Sequence, residues 1–489
     1  MYSRIMAIVI VLTIGEWVQA QNLQEVVRGV LQSNPIVLER LKNYTATRHE
    51  IDIAASGYYP TVDIEMGTGR KYTNRIRSNN PEDDYDVYYN ILVLRQNLFN
   101  GFGTQEQVRY QQMRTLAAAY SYLEKANDVT LQTVTAYIDL FRQKELLENS
   151  KRDVAQKEAI YKKVLKVYKA GLTTLSEVSK IKSVLSLARA NMVVQKNRFE
   201  SAIYNYKKLV GRYDDLAELD PPTFEATLPG DPTSAMLYAL EYNPSLLVGK
   251  YNIKGAEALY KESKSRFYPK LDLELSANYT GYFSDVDVED DYLQGMLILS
   301  YNLYRGGADE ALRKSRLSKL HQEVEVTHEL QRRVAQGLEL SWSAYRLIKE
   351  RIPFLKQYRK QSAKTLKLYS KEYDMGQRSL LDLLAAQSDL KQADDELINS
   401  KYDLILSQYR IMDAMGLTMA AVLGDVEEYY QKVGLVRGKR EERNDTLPVQ
   451  MDKDRDTVSP TKDPCPHSKT AKDLLPYGCY SDQFQGGVR

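Results

Sequence analysis

Tyr59-Pro60-Thr61-Val62-Asp63-Ile64-Glu65-Met66 reads as a helix stopped at a proline and followed at once by an alternating strand. The chain writes it again as Tyr268-Pro269-Lys270-Leu271-Asp272-Leu273-Glu274-Leu275. Proline fixes φ and has no N–H for a ladder, yet it is accepted where a strand begins, so Pro60 and Pro269 mark switches from helix to strand. Beyond each, the aliphatic side chains point one way and Asp63, Glu65, Asp272 and Glu274 the other, a period of two.

The echo extends in both directions. Asn34-Pro35 recurs as Asn243-Pro244 at the same offset of 209 (243 − 34), while Asn97-Leu98-Phe99 recurs as Asn302-Leu303-Tyr304, Gly171 as Gly376 and Gly211 as Gly416 at 205 (302 − 97). The offset changes between Glu65 and Asn97, which places a length difference in one loop. A repeat of about 200 residues is too long for a solenoid unit and describes a duplication whose copies stand side by side. This displaces the soft expectation of about one domain per 150 residues for the 489-residue chain.

Each copy has one order of elements. A helical segment (about 36–56 and 246–265) is followed by a first strand, a polar loop (70–86 and 280–291) and a second strand (87–99 and 292–304) that ends in Gly101 and Gly103 or Gly306 and Gly307. No proline lies between Pro81 and Pro221, and good helix formers from Gly103 to Gly171 predict one helix of about 65 residues, on the order of 100 Å. After Gly171 a second helix carries Val178, Ile181, Leu185, Ala188 and Met192, and its counterpart carries Leu383, Ala386, Leu390, Ala393 and Leu397, both with the 3,4 spacing of a coiled-coil seam. Pro353 should kink or break the second long helix.

The resulting division is a signal peptide at 1–20, a first repeat at 21–213, a linker at 214–233, a second repeat at 234–433 and a charged, proline-rich tail at 434–489. Arg4, the apolar run Ile5 to Ile14 and Val18-Gln19-Ala20 form the three zones of a secretory signal; the run is too short to span a membrane. No cysteine near Ala20 offers a lipid anchor, and Cys465 and Cys479 in the tail could close only a small loop.

Composition narrows the class. With 67 basic and 65 acidic residues nothing points to nucleic acid, and a mean hydropathy of −0.48 excludes a multi-helix membrane protein. A β-barrel escapes that exclusion because its strands alternate. Tyr 37 against Phe 9 and Trp 2 suits surfaces that are half apolar and half wet. No GxSxG, phosphate-loop or HExxH motif occurs; His321 and His328, seven apart, read as solvated, and Asp63, Glu65, Asp272 and Glu274 read as water-facing strand positions rather than acid–base groups. No enzyme activity, metal or cofactor is expected.

Two strands per copy give four per chain, too few to close a barrel around water, so partner chains are needed. Three chains would supply twelve. The Asn-Pro start, the Tyr-Pro switch, the Asn-Leu-aromatic-x-Gly exit and the glycine followed by Ser or Thr, an acid and aliphatics resemble TolC-type outer-membrane efflux proteins, in order and in both copies, over about residues 22–430. The resemblance implies a homotrimeric α+β channel-tunnel, a 12-stranded barrel in outer-membrane lipid continued by a helical barrel across the periplasm. It implies an exit duct for type I protein secretion or multidrug efflux, served by a periplasmic adaptor and an inner-membrane transporter. Similarity to the agglutination-type branch, and the missing lipid-anchor cysteine, tilt it toward protein secretion.

The same resemblance maps the periplasmic tip onto Gly171, Leu172, Leu175, Gly376 and Leu380 as adaptor-docking positions. Tyr373 and Arg378 would bond across a helix interface to Ser176 and Glu177 to hold the entrance shut, and Asp382 would form a lumen acid ring. The family's frequent second acid is here Ala385. A structural coiled-coil protein of the envelope is the rival reading, but it leaves the strand pairs unexplained; a stand-alone porin leaves the helices unexplained.

Overall fold

The computed structural model describes residues 22–74, 82–211, 219–282 and 291–436. The expected signal peptide, the loop tips, the start of the linker and the cysteine-bearing tail lie outside the described residues.

Each copy opens on a helix pair hinged at its Asn-Pro. Asn34 closes α1 (Leu23–Ser33) and caps α2 (Pro35–Ala55), its side chain accepting from the Ile36 N–H at 3.0 Å. Asn243 does the same between α5 (Pro232–Tyr242) and α6 (Pro244–Lys264), accepting from Ser245 at 2.9 Å. Asparagine satisfies an orphan N–H, and proline at the first helical position forfeits one that had no partner. Both α2 and α6 then tighten into a single 3₁₀ turn, Ser56–Tyr58 and Ser265–Phe267, before the Tyr-Pro switch.

The strands β1 (Thr61–Asn74), β2 (Glu82–Phe99), β3 (Lys270–Tyr282) and β4 (Tyr292–Ser300) form one antiparallel sheet in sequence order. The β2–β3 pair therefore joins the two copies. Register fixes the faces: Val62 lies opposite Leu94, Ile64 opposite Leu92, Leu94 opposite Leu275, Leu273 opposite Leu297 and Leu271 opposite Leu299. Paired residues share a face, so Val62, Ile64, Leu271 and Leu273 belong to one aliphatic surface. Among the described residues β1 and β4 have no outer partner. The strands of the first copy run further into the polar stretch than expected, β1 to Asn74 and β2 from Glu82, because backbone pairing tolerates the polar sequence. In the second copy β4 stops at Ser300, short of Tyr304.

Helices α3 (Gly103–Lys169) and α7 (Ala308–Asp374) are 67 residues each, and α4 (Leu175–Val210) and α8 (Leu380–Ala414) return along them. At 1.5 Å per residue the long helices span about 100 Å. Pro353 lies inside α7, which runs on past it, so the break that the sequence allowed does not occur. The seam is buried at Val178, Ile181, Leu185, Ala188, Leu383, Ala386 and Ala393.

The largest core surrounds the middle of α3, where Tyr122, Leu123, Tyr137 and Ile138 are sealed by α1, by α9 (Thr418–Leu423) and by the chain after α10 (Glu427–Gln431). The described part of the linker is fastened to it. Tyr137 donates to the Asp220 carbonyl at 2.5 Å, Tyr409 donates to that of Thr223 at 2.9 Å, and Phe224 meets Tyr409 edge-on at 5.0 Å. The folded chain continues to Leu435, which is buried, so the tail begins slightly later than the sequence suggested.

Candidate functional site

Exposed aromatic rings occur at both ends of the aliphatic sheet. Tyr58, Tyr59, Phe102, Phe267 and Tyr268 stand where the strands meet the helices, and Tyr72, Tyr279 and Tyr292 stand at the far end. Tyr268 and Tyr279 are 11 residues apart. At about 3.4 Å per residue and a tilt near 40° that is about 28 Å, close to the roughly 25 Å apolar band of an outer-membrane barrel between its aromatic girdles. The opposite face is polar: Arg95 pairs with Glu274 at 2.8 Å, Asn97 donates to Asp272 at 2.7 Å and Tyr89 donates to Glu65 at 3.0 Å. The four strand acids thus sit together on the face away from the aliphatic surface. Among the described residues no helix is long and apolar enough to cross a membrane.

The two helix-to-helix turns lie at the opposite end, and both are built alike. Gly171 (φ +72°) and Gly376 (φ +70°) hold a left-handed conformation that glycine enters without steric cost. At the first turn the Leu172 N–H bonds the Val167 carbonyl and the Gly171 N–H that of Tyr168; at the second, Gln377 bonds Glu372 and Gly376 bonds Tyr373. These are paired Schellman caps, which satisfy the last carbonyls of α3 and α7.

The side chains differ between the turns. Ser379 caps α8, accepting from the Asp382 N–H at 3.1 Å and donating to its carboxylate at 2.8 Å, so Asp382 sits at a positive helix end. In the first turn Thr173 donates to Glu177 at 2.6 Å and the hydroxyls of Thr174 and Ser176 are 2.7 Å apart. Arg378 turns to its own hairpin: Glu372 holds it at 2.8 Å, Asp382 lies at 4.0 Å, and its guanidinium sits 4.2 Å over the Tyr369 ring. The hydrogen bond that Arg378 donates to Glu372 raises the guanidinium pKa above its usual value. Within one chain Arg378 therefore bonds neither Ser176 nor Glu177. Tyr373 is half-buried, and its hydroxyl pKa is raised by burial and then by the charge of Glu177.

Beneath the turns Val164, Val178, Ile181, Leu380 and Leu384 form a separate apolar cluster, with Tyr373 packed on it. This corrects one docking position: Leu380 is 2% exposed and belongs to that cluster, whereas Leu172, Leu175, Met375 and Leu381 are exposed. Sequence reasoning also missed Lys163, which pairs with Asp374 across the two hairpins and lies 5.8 Å from the Tyr373 ring. His321 and His328 are exposed, with His328 beside Glu325, and no metal-holding cluster occurs among the described residues.

A sheet with one aliphatic face, aromatics at both ends and, among the described residues, open edges, joined to helices of about 100 Å, fits a membrane-anchored channel protein. Comparison with known proteins agrees. The sequence profile of the outer membrane efflux proteins matches residues 26–212 and 238–417, one stretch per copy, and the chain belongs to that family. It is 25% identical over 394 residues to the outer membrane efflux protein BepC of Brucella suis biovar 1, covering 78% of this chain and 84% of the relative. It is 25% identical over 419 residues to the outer membrane protein TolC of Escherichia coli K12, covering 81% and 83%. Its fold matches the Campylobacter jejuni CmeC outer membrane channel with a TM-score of 0.75 at 16% identity, covering 86% of this chain and 90% of that one. The resemblance read from the sequence is thereby established, and with it an export duct seated in the outer membrane and reaching into the periplasm.

Proposed function

We propose that three copies of the chain close a 12-stranded barrel in the outer membrane and a helical barrel below it, forming the exit duct of a tripartite system for type I protein secretion or multidrug efflux. The observation that carries this is the sheet, whose one face is aliphatic and whose outer strands β1 and β4 have, among the described residues, no partner on their outer edges. Unpaired backbone groups at an edge cost several kcal/mol each in hydrocarbon, so a bilayer demands closure. No energy source is encoded, so an inner-membrane transporter supplies the work and a periplasmic adaptor couples it to the tip. The exposed Leu172, Leu175, Met375 and Leu381 around Gly171 and Gly376 are the apolar surface such an adaptor would grip.

The entrance rests closed. Tyr373 and Arg378 bond to Ser176 and Glu177 across the interface between neighbouring helix pairs, and three copies of Asp382 give the constriction a preference for cations. The proximity of Tyr373 to Glu177 within the chain supports this pairing. Native mass measurement and cross-linking in detergent, followed by conductance in planar bilayers, test the architecture. A trimer with low resting conductance is expected, and a folded monomer or dimer would overturn it. Tyr373→Phe with Arg378→Ser should raise conductance while the trimer persists. An unchanged conductance would refute the gate and leave the duct.

A further inference from the structure

Where the strands meet the helices, the two copies hold opposite chemistry in matching places. In the first copy Gly57, Asn100 and Thr104 come together at the start of α3, uncharged and mutually satisfied. Asn100 donates to the Thr104 hydroxyl at 2.6 Å and accepts from the Thr104 N–H at 3.3 Å, and a Cβ on Gly57 would stand 3.0 Å from the Thr104 methyl. Shifted by the two offsets of the duplication, the same three places in the second copy hold Arg266, Arg305 and Asp309. Arg266 lies in the 3₁₀ turn Ser265–Phe267, Arg305 follows β4, and Asp309 is in the first turn of α7.

The charged trio is incompletely paired. Arg266 and Arg305 approach the same carboxylate oxygen of Asp309 at 3.9 and 3.8 Å, both beyond hydrogen-bond distance. Among the described residues neither guanidinium donates a hydrogen bond, and both side chains are open to solvent. Further along α7, Arg313 shows the completed arrangement, donating to both oxygens of Glu310 at 3.0 and 2.9 Å. Two positive forks around one negative charge leave a positive excess with N–H groups to spare. The spot belongs to the membrane end of the molecule: Phe267 and Tyr268 of the aromatic row follow Arg266, the exposed Tyr304 precedes Arg305, and the aliphatic surface starts at Leu271 and its partner Leu299. The long helices leave the sheet from this end, so the arginines lie at headgroup level on the periplasmic side.

We propose that Arg266 and Arg305 form a docking site for an anionic phospholipid of the periplasmic leaflet, its phosphate accepting from both guanidinium groups and its acyl chains lying on the aliphatic surface above them. The inference rests on the outer-membrane seat of the sheet. Arginine forks match phosphate oxygens in pairs, and a basic spot at a membrane edge selects negatively charged headgroups. With Gly57 and Asn100 in the matching places, the first copy offers no counterpart, so the site occurs once per chain.

The test titrates dioleoyl phosphatidylglycerol, with dioleoyl phosphatidylcholine as its zwitterionic match, into the full-length protein in detergent and counts bound lipids by native mass spectrometry. The parent should retain phosphatidylglycerol in preference to phosphatidylcholine, at about one site per chain. Arg266→Gln and Arg305→Gln should each weaken phosphatidylglycerol binding about fivefold, and the double variant about thirtyfold, with phosphatidylcholine unaffected. Lys180→Gln/Lys182→Gln, which removes two exposed charges from α4, should bind as the parent does. Equal retention of the two lipids by the parent, retention of neither, or arginine variants that bind like the parent would overturn the site. Displacement of phosphatidylglycerol by an equal concentration of inorganic phosphate would also overturn it, because the spot would then be a site for free phosphate. Loss of the trimer in the arginine variants would overturn it by assigning the spot to contact between copies. A parent that is a folded monomer yet selects phosphatidylglycerol through both arginines would sink the trimeric barrel and leave the site standing.

Discussion

Replacing Asp413 by asparagine should stabilise the protein above about pH 6 and leave it unchanged in acid. Asp413 lies near the end of α8, where α3, α6 and α7 converge around a cavity of about 500 Å³ lined also by Glu124, Asp128, Arg333 and Arg410. Burial pushes its carboxyl up from the usual 3.8 to about 6; the hydrogen bond from Thr418, at 3.0 Å, and the nearby Arg410 oppose the rise, while Asp128 adds to it. Between those values the unfolded chain has released the proton and the folded chain still holds it. The unfolded state then binds fewer protons, so stability falls as pH rises through this window. The rise from 3.8 to about 6 corresponds to about 3 kcal/mol per chain, kept in full below the unfolded pKa and lost above the folded one.

Asparagine cannot ionise, and its Oδ1 can still accept from Thr418. Urea unfolding of the detergent-solubilised protein, followed by circular dichroism at about pH 4 and about pH 7.5, would read the difference. The variant midpoint should exceed the parent's at the higher pH and coincide with it at the lower. An equal offset at both pH values, or a less stable variant at the higher one, would refute the assignment of the cost to a buried charge.

Ile64→Arg should impair assembly by about 2–4 kcal/mol if the site lies near the bilayer midplane, whereas Glu65→Arg on the opposite face should assemble normally; equal damage in heat-modifiability gels would contradict the assigned faces. Asp382→Ala should reduce cation selectivity, read as a smaller reversal potential in a salt gradient. Because Asp382 also lies in the first turn of α8, where its carboxylate accepts from the capping Ser379, its loss should cost up to about 1 kcal/mol of local helix stability. Leu380→Ala should destabilise the tip cluster by about 2–5 kcal/mol and show as faster hydrogen exchange in the first turn of α8, while Leu175→Ala at the matching exposed position should not.

What the sequence revealed was carried by local signals. The proline switches, the period-two strands and the proline-free run from Gly103 each depend on neighbours in sequence, and all three appear in the fold where expected. The strand ends were hidden because Glu82 to Asp86 reads as loop, yet its backbone completes the ladder against β1. The separate helix α1 was hidden because Asn34-Pro35 looks like a beginning when it is also an end. Lys163 was hidden for a third reason: its partner is 211 residues away, and no local pattern announces a contact across the duplication. A signal existed, since Arg142, Asn149, Gln156 and Lys163 repeat at seven, but a polar stripe at that spacing ordinarily describes a solvated face.

The duplication made two hairpins with the same turns and then let their side chains diverge. Leu175 and Leu380 occupy matching places, yet one is 61% exposed and the other 2%. Ser379 caps its helix through Asp382, while Thr174 makes no such bond and Glu177 is held by Thr173 instead. The consequence is directional. The second hairpin inserts Leu380 and Leu384 against Val164, Val178 and Ile181 of the first, and presents Asp374 to Lys163. The first inserts nothing equivalent into the second, its matching Leu175 being left to solvent. Two identical hairpins would pack alike at their turns, but in this pair the second inserts and the first receives. The inserting pair, α7 with α8, carries Tyr373, Arg378 and Asp382 together. On the proposed gate, movement of that one helix pair would reposition every expected gating group in the chain except Ser176 and Glu177.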